Sequence, residues 1–286
     1  MTDLGTSDGL IGECLKYVVL GMIQGITEFL PISSTAHLKA VPLLIGLGDP
    51  GVSITAVIQL GSIIAVIAYF WKDLSEIMQG ISKAIKRNQW REPKARLGMA
   101  LITGTLPIVL CGMCIKIFWQ DYESSQLRNI PWIGCISIFM AALLALAERI
   151  GARLKSLKEV NVKDGFVVGL SQALALFPGV SRSGITLSIA LLDGWQRAEA
   201  ARFSFLLSIP AITLAGLIEL KNAFEDPIRA RAVPLLVGVI TAALVSWLSI
   251  HWLLRYLQSH SSWIFVIYRM LFGLLLLAFW LDLPSN

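Results

Sequence analysis

Read for polarity alone, the chain alternates long apolar runs with short charged ones. Runs free or nearly free of charge occupy 51–71, 97–115, 130–147, 203–218, 232–254 and 261–281, the last interrupted only by Arg269. Most approach the ~20 residues that a helix needs to cross about 30 Å of hydrocarbon, so the pattern predicts six transmembrane helices. Two further apolar segments are interrupted: 17–48 at Glu28, Pro31 and Lys39, and 165–192 at Pro178, Gly179 and Arg182. Proline ends a helix because it lacks an N–H and clashes with the preceding turn, which leaves each side of a break too short to span. Each segment is predicted as a re-entrant helical hairpin, over 12–47 and 164–192, with its tip at membrane depth, where non-helical backbone must be covered by protein or line a wet cavity.

The order is therefore hairpin, three spans, hairpin, three spans, with a first repeat over 1–150 and a second over 151–286. Because three is odd, the second hairpin must enter from the face opposite the first, and the repeats have inverted topology. Weak internal similarity agrees: Phe29-Leu-Pro31-Ile-Ser33-Ser34-Thr35 parallels Phe177-Pro178-Gly-Val-Ser181-Arg182-Ser183. The expected fold class is an all-α polytopic membrane protein forming one integral membrane domain.

Composition supports this class. Of 286 residues, 56% are hydrophobic and 15% charged, and the mean hydropathy of +0.71 lies far outside the range of soluble globular domains. Asp3, Asp8 and Glu13 precede the first basic residue, Lys16, so the start lacks the positive region of a cleavable signal peptide. Seven Lys and Arg residues in the 72–96 loop and five in the 149–163 loop place both in the cytoplasm; the 119–129 loop, with Asp121, Glu123 and only Arg128, belongs outside. The net charge of +5 is on this reading an insertion signal, and no nucleic-acid partner is expected. Cys14, Cys111, Cys114 and Cys135 lie mostly in apolar runs and read as small packing residues.

The chemistry is concentrated in the two interruptions. Gln24 and Glu28, four apart, share a helix face and could offer oxygen ligands to Mg²⁺ or Ca²⁺; Glu28 neutralised by Lys39 or Arg182 is the alternative. Ser33, Ser34 and Thr35 follow the proline, and His37 comes three residues after Ser34, on the side that suits proton exchange with its hydroxyl, although for this segment alone a helix cap beside a core histidine is the stronger reading. In Pro178-Gly-Val-Ser181-Arg182-Ser183-Gly-Ile-Thr186 a turn opens a helix, whose free N–H groups, the Arg182 fork and the hydroxyls of Ser181, Ser183 and Thr186 suit a phosphate. Arg182 paired to Glu28 is the structural alternative, and it too would bring the hairpins together.

The acidic pair Gln24…Glu28, the run Pro31-x-Ser33-Ser34-Thr35-x-His37 and the run Pro178-Gly-x-Ser181-Arg182-Ser183-x-x-Thr186 resemble the bacitracin-resistance type of undecaprenyl-diphosphate phosphatase over nearly the whole chain, Gln59-Leu-Gly-Ser62 included. The resemblance implies an inner-membrane bacterial hydrolase that converts undecaprenyl diphosphate to undecaprenyl phosphate and inorganic phosphate, recycling the lipid carrier of peptidoglycan synthesis and conferring bacitracin resistance. It assigns Ser34, His37, Glu28 and Arg182 to catalysis, Ser33, Thr35, Ser181, Arg182, Ser183 and Thr186 to phosphate, and Glu28 with Gln24 to the divalent cation. Many members carry Glu where this chain has Gln24. The expected partners are the polyprenyl diphosphate lipid and membrane lipids; a homodimer is compatible with the sequence. Ser34 as nucleophile and a directly attacking water both remain open, as does a transporter or flippase of polyprenyl phosphate lipids that uses the same inverted repeat without hydrolysis.

Overall fold

In a computed structural model the residues described are 7–119, 122, 125–225 and 232–281, and among them every regular element is helical. Eleven α-helices follow in order: α1 Ser7–Thr27, α2 Ser34–Leu44, α3 Val52–Tyr69, α4 Trp71–Arg87, α5 Pro93–Phe118, α6 Ile130–Ile150, α7 Val162–Gln172, α8 Arg182–Leu192, α9 Arg197–Glu225, α10 Ala232–Ser259 and α11 Trp263–Leu281. Seven of them are long and apolar enough to cross a membrane, which makes this a multi-pass membrane protein.

The six predicted spans correspond to α3, α5, α6, α9, α10 and α11; the seventh, Gly9–Thr27 of α1, departs from the expectation that both arms of the first interrupted segment are too short to span. Asp8, Glu13 and Lys16 sit in its first turns, where charge leaves the helical hydrogen bonds intact, so the helix extends well upstream of residue 17. The basic stretch 72–96, read as a loop, instead forms α4 and the start of α5. Both arms of the second interrupted segment, α7 and α8, are short, at 11 residues each.

Two parallel helix pairs organise the bundle through glycine. A Cβ on Gly21 or Gly25 of α1 would lie 2.5 Å from the Gly238 carbonyl oxygen or 2.7 Å from Val245 of α10, and one on Gly165 or Gly169 of α7 would lie 2.2 Å from the Ala100 oxygen or 2.1 Å from the Gly104 oxygen of α5. Only hydrogen fits such backbone approach, the small-xxx-small packing that joins helices in membranes without a hydrophobic driving force. Between the pairs, Phe29, Phe70 and Phe205 meet edge to face at the centre of the main core, with Phe29 and Phe205 ring centroids 5.3 Å apart.

Polar ties fix the ends. Lys155 donates to Asp164 at the start of α7 (2.5 Å) and to Asp193 just after α8 (2.8 Å), so segment 162–193 begins and finishes at one end of the bundle. Arg96 reaches the Glu159 carbonyl at 2.7 Å and joins the two basic stretches at that same end. The 45–51 loop and residues 125–129 together line a cavity at the opposite end of α5.

Candidate active site

The first tip follows from the end of α1. Pro31 cannot continue the helix, and the chain restarts at α2 with Ser33 as N-cap, its hydroxyl accepting from the Ala36 N–H at 3.4 Å. The second tip runs through Pro178 and Gly179 to Ser181, which caps α8 by accepting from the Gly184 N–H at 3.1 Å. Arg269 of α11, fully buried, ties the two together: it donates to the Pro31 carbonyl (3.2 Å) of one tip and to the Val180 (3.1 Å) and Gly179 (2.7 Å) carbonyls of the other. Ser183 adds a bond to the Leu30 carbonyl at 2.9 Å. In the sequence Arg269 stands out as the charge that interrupts the last apolar run; its reach to both tips needed the fold.

Glu28 is the junction of the site. Its Oε1 accepts from Arg182 Nη2 at 2.5 Å, and its Oε2 accepts from the Ser34 hydroxyl at 2.7 Å and the Gln24 amide at 3.0 Å. Gln24 extends the network to Ser62 of α3 at 3.3 Å, and Ser62 accepts from Ser246 of α10 at 2.8 Å. Arg182 Nε is buried with no partner, leaving a charged donor beside the carboxylate for a further acceptor. An inner pocket of about 150 Å³ is lined by Glu28, Ser34, Thr35, Gln59, Ser181 and Arg182; Ser34, Thr35 and Gln59 also line an outer cavity of about 380 Å³.

Gln24, Glu28, Ser33, Ser34, Thr35, Ser181 and Arg182 are thus drawn together at these cavities. Three predicted residues are placed differently. His37 does not meet Ser34: its Nδ1–H donates to the Ser33 carbonyl at 2.7 Å, its Nε2 pairs with the Tyr268 hydroxyl at 2.7 Å, and its ring stacks on Phe272 with centroids 4.1 Å apart. A spacing of three puts two side chains on one helix flank, but Ser34 is the first residue of α2 and its hydroxyl turns back to Glu28. Thr186 is fully buried, bonded to the Arg182 carbonyl (2.7 Å) and to Ser204 (2.5 Å), and lines neither cavity. Ser183 is likewise absent from both linings, its hydroxyl engaged between the tips. Of the two cations weighed as partners for Glu28, Arg182 fills that role and Lys39 pairs with Asp49. Of the residues that line both cavities, Gln59 is the one that was assigned no role from the sequence.

For a divalent cation, Glu28 supplies one carboxylate, and the Gln24 side-chain oxygen and the Ser34 hydroxyl add hard oxygen donors. Among the described residues no cluster of three or more His, Cys, Asp or Glu side chains occurs. The donor set fits Mg²⁺ better than a dedicated Ca²⁺ cage, because Mg²⁺ is commonly held by one or two carboxylates with substrate phosphates and water completing the shell.

Comparison with known proteins gives a consistent picture. The family described as Bacitracin resistance protein BacA matches residues 17–275. Undecaprenyl-diphosphatase of Prochlorococcus marinus (strain MIT 9303) is 64% identical over 283 residues, covering 99% of this chain and 97% of that protein. The undecaprenyl-diphosphatases of Synechococcus sp. (strain WH7803), 62% identical over 278 residues with 97% of each chain covered, and of Parasynechococcus marenigrum (strain WH8102), 62% identical over 281 residues with 98% of each covered, are similar to the same extent.

Proposed function

The chain belongs to the bacitracin resistance protein BacA family, and from that premise we infer that the Glu28–Ser34–Arg182 junction is where it works. The protein hydrolyses undecaprenyl diphosphate to undecaprenyl phosphate and inorganic phosphate, a membrane reaction that returns the lipid carrier for cell-wall synthesis. The observation that carries the assignment of the site is that one buried carboxylate holds the hydroxyl of one tip and the guanidinium of the other.

Ser34 Oγ attacks the terminal phosphorus as Glu28 Oε2 takes its proton; the bridging P–O bond breaks, its electrons leave with undecaprenyl phosphate, and a phosphoserine remains. Glu28 passes that proton to the departing undecaprenyl phosphate; water then attacks the phosphoserine phosphorus, and Glu28 takes a proton from the water and returns it to Ser34 Oγ as the serine P–O bond breaks and inorganic phosphate leaves. Arg182, through Nε and the nitrogens not engaged by Glu28, binds the phosphoryl oxygens as charge develops on them. His37 acts by position: it holds the Ser33 carbonyl and so the turn that presents Ser34. Mg²⁺ or Ca²⁺ held by Glu28 and Gln24 would neutralise diphosphate charge.

The topology we infer is six spans and two re-entrant hairpins in inverted repeats. It is supported by the shared end of α7 and α8 and by the two glycine-zipped pairs, in which a hairpin arm of each half lies parallel to a span of the other. The basic stretches 72–96 and 149–163 then face the cytoplasm, and the cavities open on the periplasmic side of the inner membrane through the 45–51 and 125–129 segments. Purified protein should release inorganic phosphate from undecaprenyl diphosphate, and Ser34→Ala should not. Undiminished release by Ser34→Ala would leave a directly attacking water as the nucleophile. Movement of the lipid between leaflets with no phosphate released would instead mean a transporter.

A further inference from the structure

Outside the motifs, three charged side chains gather at the mouth of the outer cavity: Lys39 from α2, Asp49 from the following loop, and Arg128 from the 125–129 segment. We propose that they form a second phosphate subsite, in which the Asp49 carboxylate occupies, in the absence of substrate, the place of the diphosphate's other phosphate. This rests on the phosphatase reading above and extends it to a part of the chain that carries none of the motif residues.

The electrostatics ask for such a subsite. A diphosphate carries charge on two phosphates, whereas the inner pocket, about 150 Å³, has a single cation, Arg182, already facing Glu28. The next cations along the cavity, reached past Ser34, Thr35 and Gln59, are Lys39 and Arg128. Their present occupant is an anion. Asp49 accepts from Lys39 and, at 3.0 Å, from the Gly51 backbone N–H. Desolvation pushes its carboxyl up, but the Lys39 and Gly51 hydrogen bonds and the charges of Lys39 and Arg128 outweigh that and hold it below the ordinary carboxylate range. A carboxylate stabilised by two cations and a backbone N–H marks a place where a phosphate oxygen would be stabilised by the same groups.

Asp49 is also held loosely enough to leave. The side chains of the pair are 35% and 42% exposed, so the pair is screened by water and contributes little to stability. Gly46, Gly48 and Gly51 around it have φ of 77°, 73° and 81°, and a Cβ on any of them would meet nothing within 4 Å. The backbone at these three glycines is free to turn and has open space beside it.

The test separates a displaceable occupant from a structural strut by sign. With the full chain in detergent or nanodiscs, KM and kcat for undecaprenyl diphosphate and the affinity for methylene diphosphonate are measured for wild type, Lys39→Gln, Arg128→Gln and Asp49→Asn. Loss of a charge-assisted bond to phosphate in Lys39→Gln or Arg128→Gln should raise KM and weaken diphosphonate binding about tenfold, with a smaller fall in kcat. Asp49→Asn removes a competitor and should tighten both by about two- to fivefold. If Lys39→Gln and Asp49→Asn shift KM and diphosphonate affinity in the same direction, or neither moves them, the subsite is wrong. Diphosphonate binding is read independently of turnover, so a wild type that binds it with these opposed signs yet releases no phosphate would overturn the phosphatase reading and leave the subsite standing.

Discussion

Ser33 and Ser181 hold the same backbone conformation, φ 77° and ψ 100° in one, φ 69° and ψ 112° in the other. For a residue with a side chain this is sparsely populated territory, costing on the order of 1–3 kcal/mol, and it persists only where the surroundings impose it. Each serine caps a helix, and the residue after each, Ser34 or Arg182, is the first of that helix and binds one oxygen of Glu28. The same turn is used twice with different chemistry loaded at the next position. Sites that keep such strain are typically those where geometry matters more than stability.

Arg182→Ala should lower phosphate release by about a hundredfold or more, because it removes the guanidinium that meets developing phosphoryl charge. Arg182→Lys should recover little of it, since an ammonium cannot bridge Glu28 and phosphate as a fork does. Steady-state turnover of the folded variants decides the matter, and near-normal release by Arg182→Ala would remove the residue from the site.

In the proposed mechanism Glu28, rather than His37, takes the Ser34 proton, its carboxylate lying 2.7 Å from the hydroxyl. Glu28→Gln should therefore fall by about a hundredfold or more, within the range of general-base contributions. His37→Gln should retain a measurable fraction, and Tyr268→Phe still more. Rapid acid quench with labelled substrate should trap a phosphoserine in wild type and none in Ser34→Ala. Loss in His37→Gln as deep as in Glu28→Gln would return the base to the histidine.

Chelator should abolish turnover and added Mg²⁺ or Ca²⁺ restore it, with Glu28→Gln unresponsive to either. Gln24→Glu should bind the cation more tightly, shifting the metal titration of activity to lower concentration by adding a second carboxylate. Full wild-type turnover in chelator would remove the metal from the proposal.

Cysteines placed at Ser82 and Gln126, both exposed, in a chain lacking Cys14, Cys111, Cys114 and Cys135 should react differently with an impermeant reagent in intact cells. Labelling is expected at Gln126 only. Labelling at Ser82 only would turn the molecule over and open the cavities to the cytoplasm.

Arg269→Met keeps the length of the side chain and removes its donors, leaving the Pro31, Gly179 and Val180 carbonyls without that partner. Each unsatisfied buried acceptor costs about 1–3 kcal/mol, so the melting temperature of the purified protein should fall by several degrees, and turnover should fall with it as the tips part. An unchanged melting temperature would mean that the tips are held without this residue.

How much of this was legible beforehand depended on whether the signal was local. The breaks at Pro31 and Pro178 and the six long apolar runs are properties of short windows, and the helices of the bundle follow them closely. The reach of α1 beyond residue 17 was hidden by Asp8, Glu13 and Lys16, whose charges mimic a loop although a helix tolerates them in its outer turns. Glu28 and Arg182 could be picked out because charge inside an apolar stretch demands a partner. The Ser34–His37 pairing misled, since spacing along a helix fixes a flank and not the rotation of a first-turn hydroxyl toward a carboxylate six residues back. Nor could any window show that Arg269, alone in the last apolar run, meets carbonyls from both tips.

The two glycine-zipped pairs have a consequence for the order in which the protein is made. When α1 and α5 reach the membrane, the helices whose backbones they touch, α10 and α7, have not yet been synthesised. The nascent first half must wait in the bilayer with its close-packing surfaces against lipid, where Gly21 and Gly25 offer few van der Waals contacts. Neither half closes an interior of its own. A chain arrested before α10 would hold both tips of the site, with neither the helix its first arm lies against nor the arginine that joins the tips, which makes the late helices the natural point at which quality control could tell a finished molecule from an unfinished one.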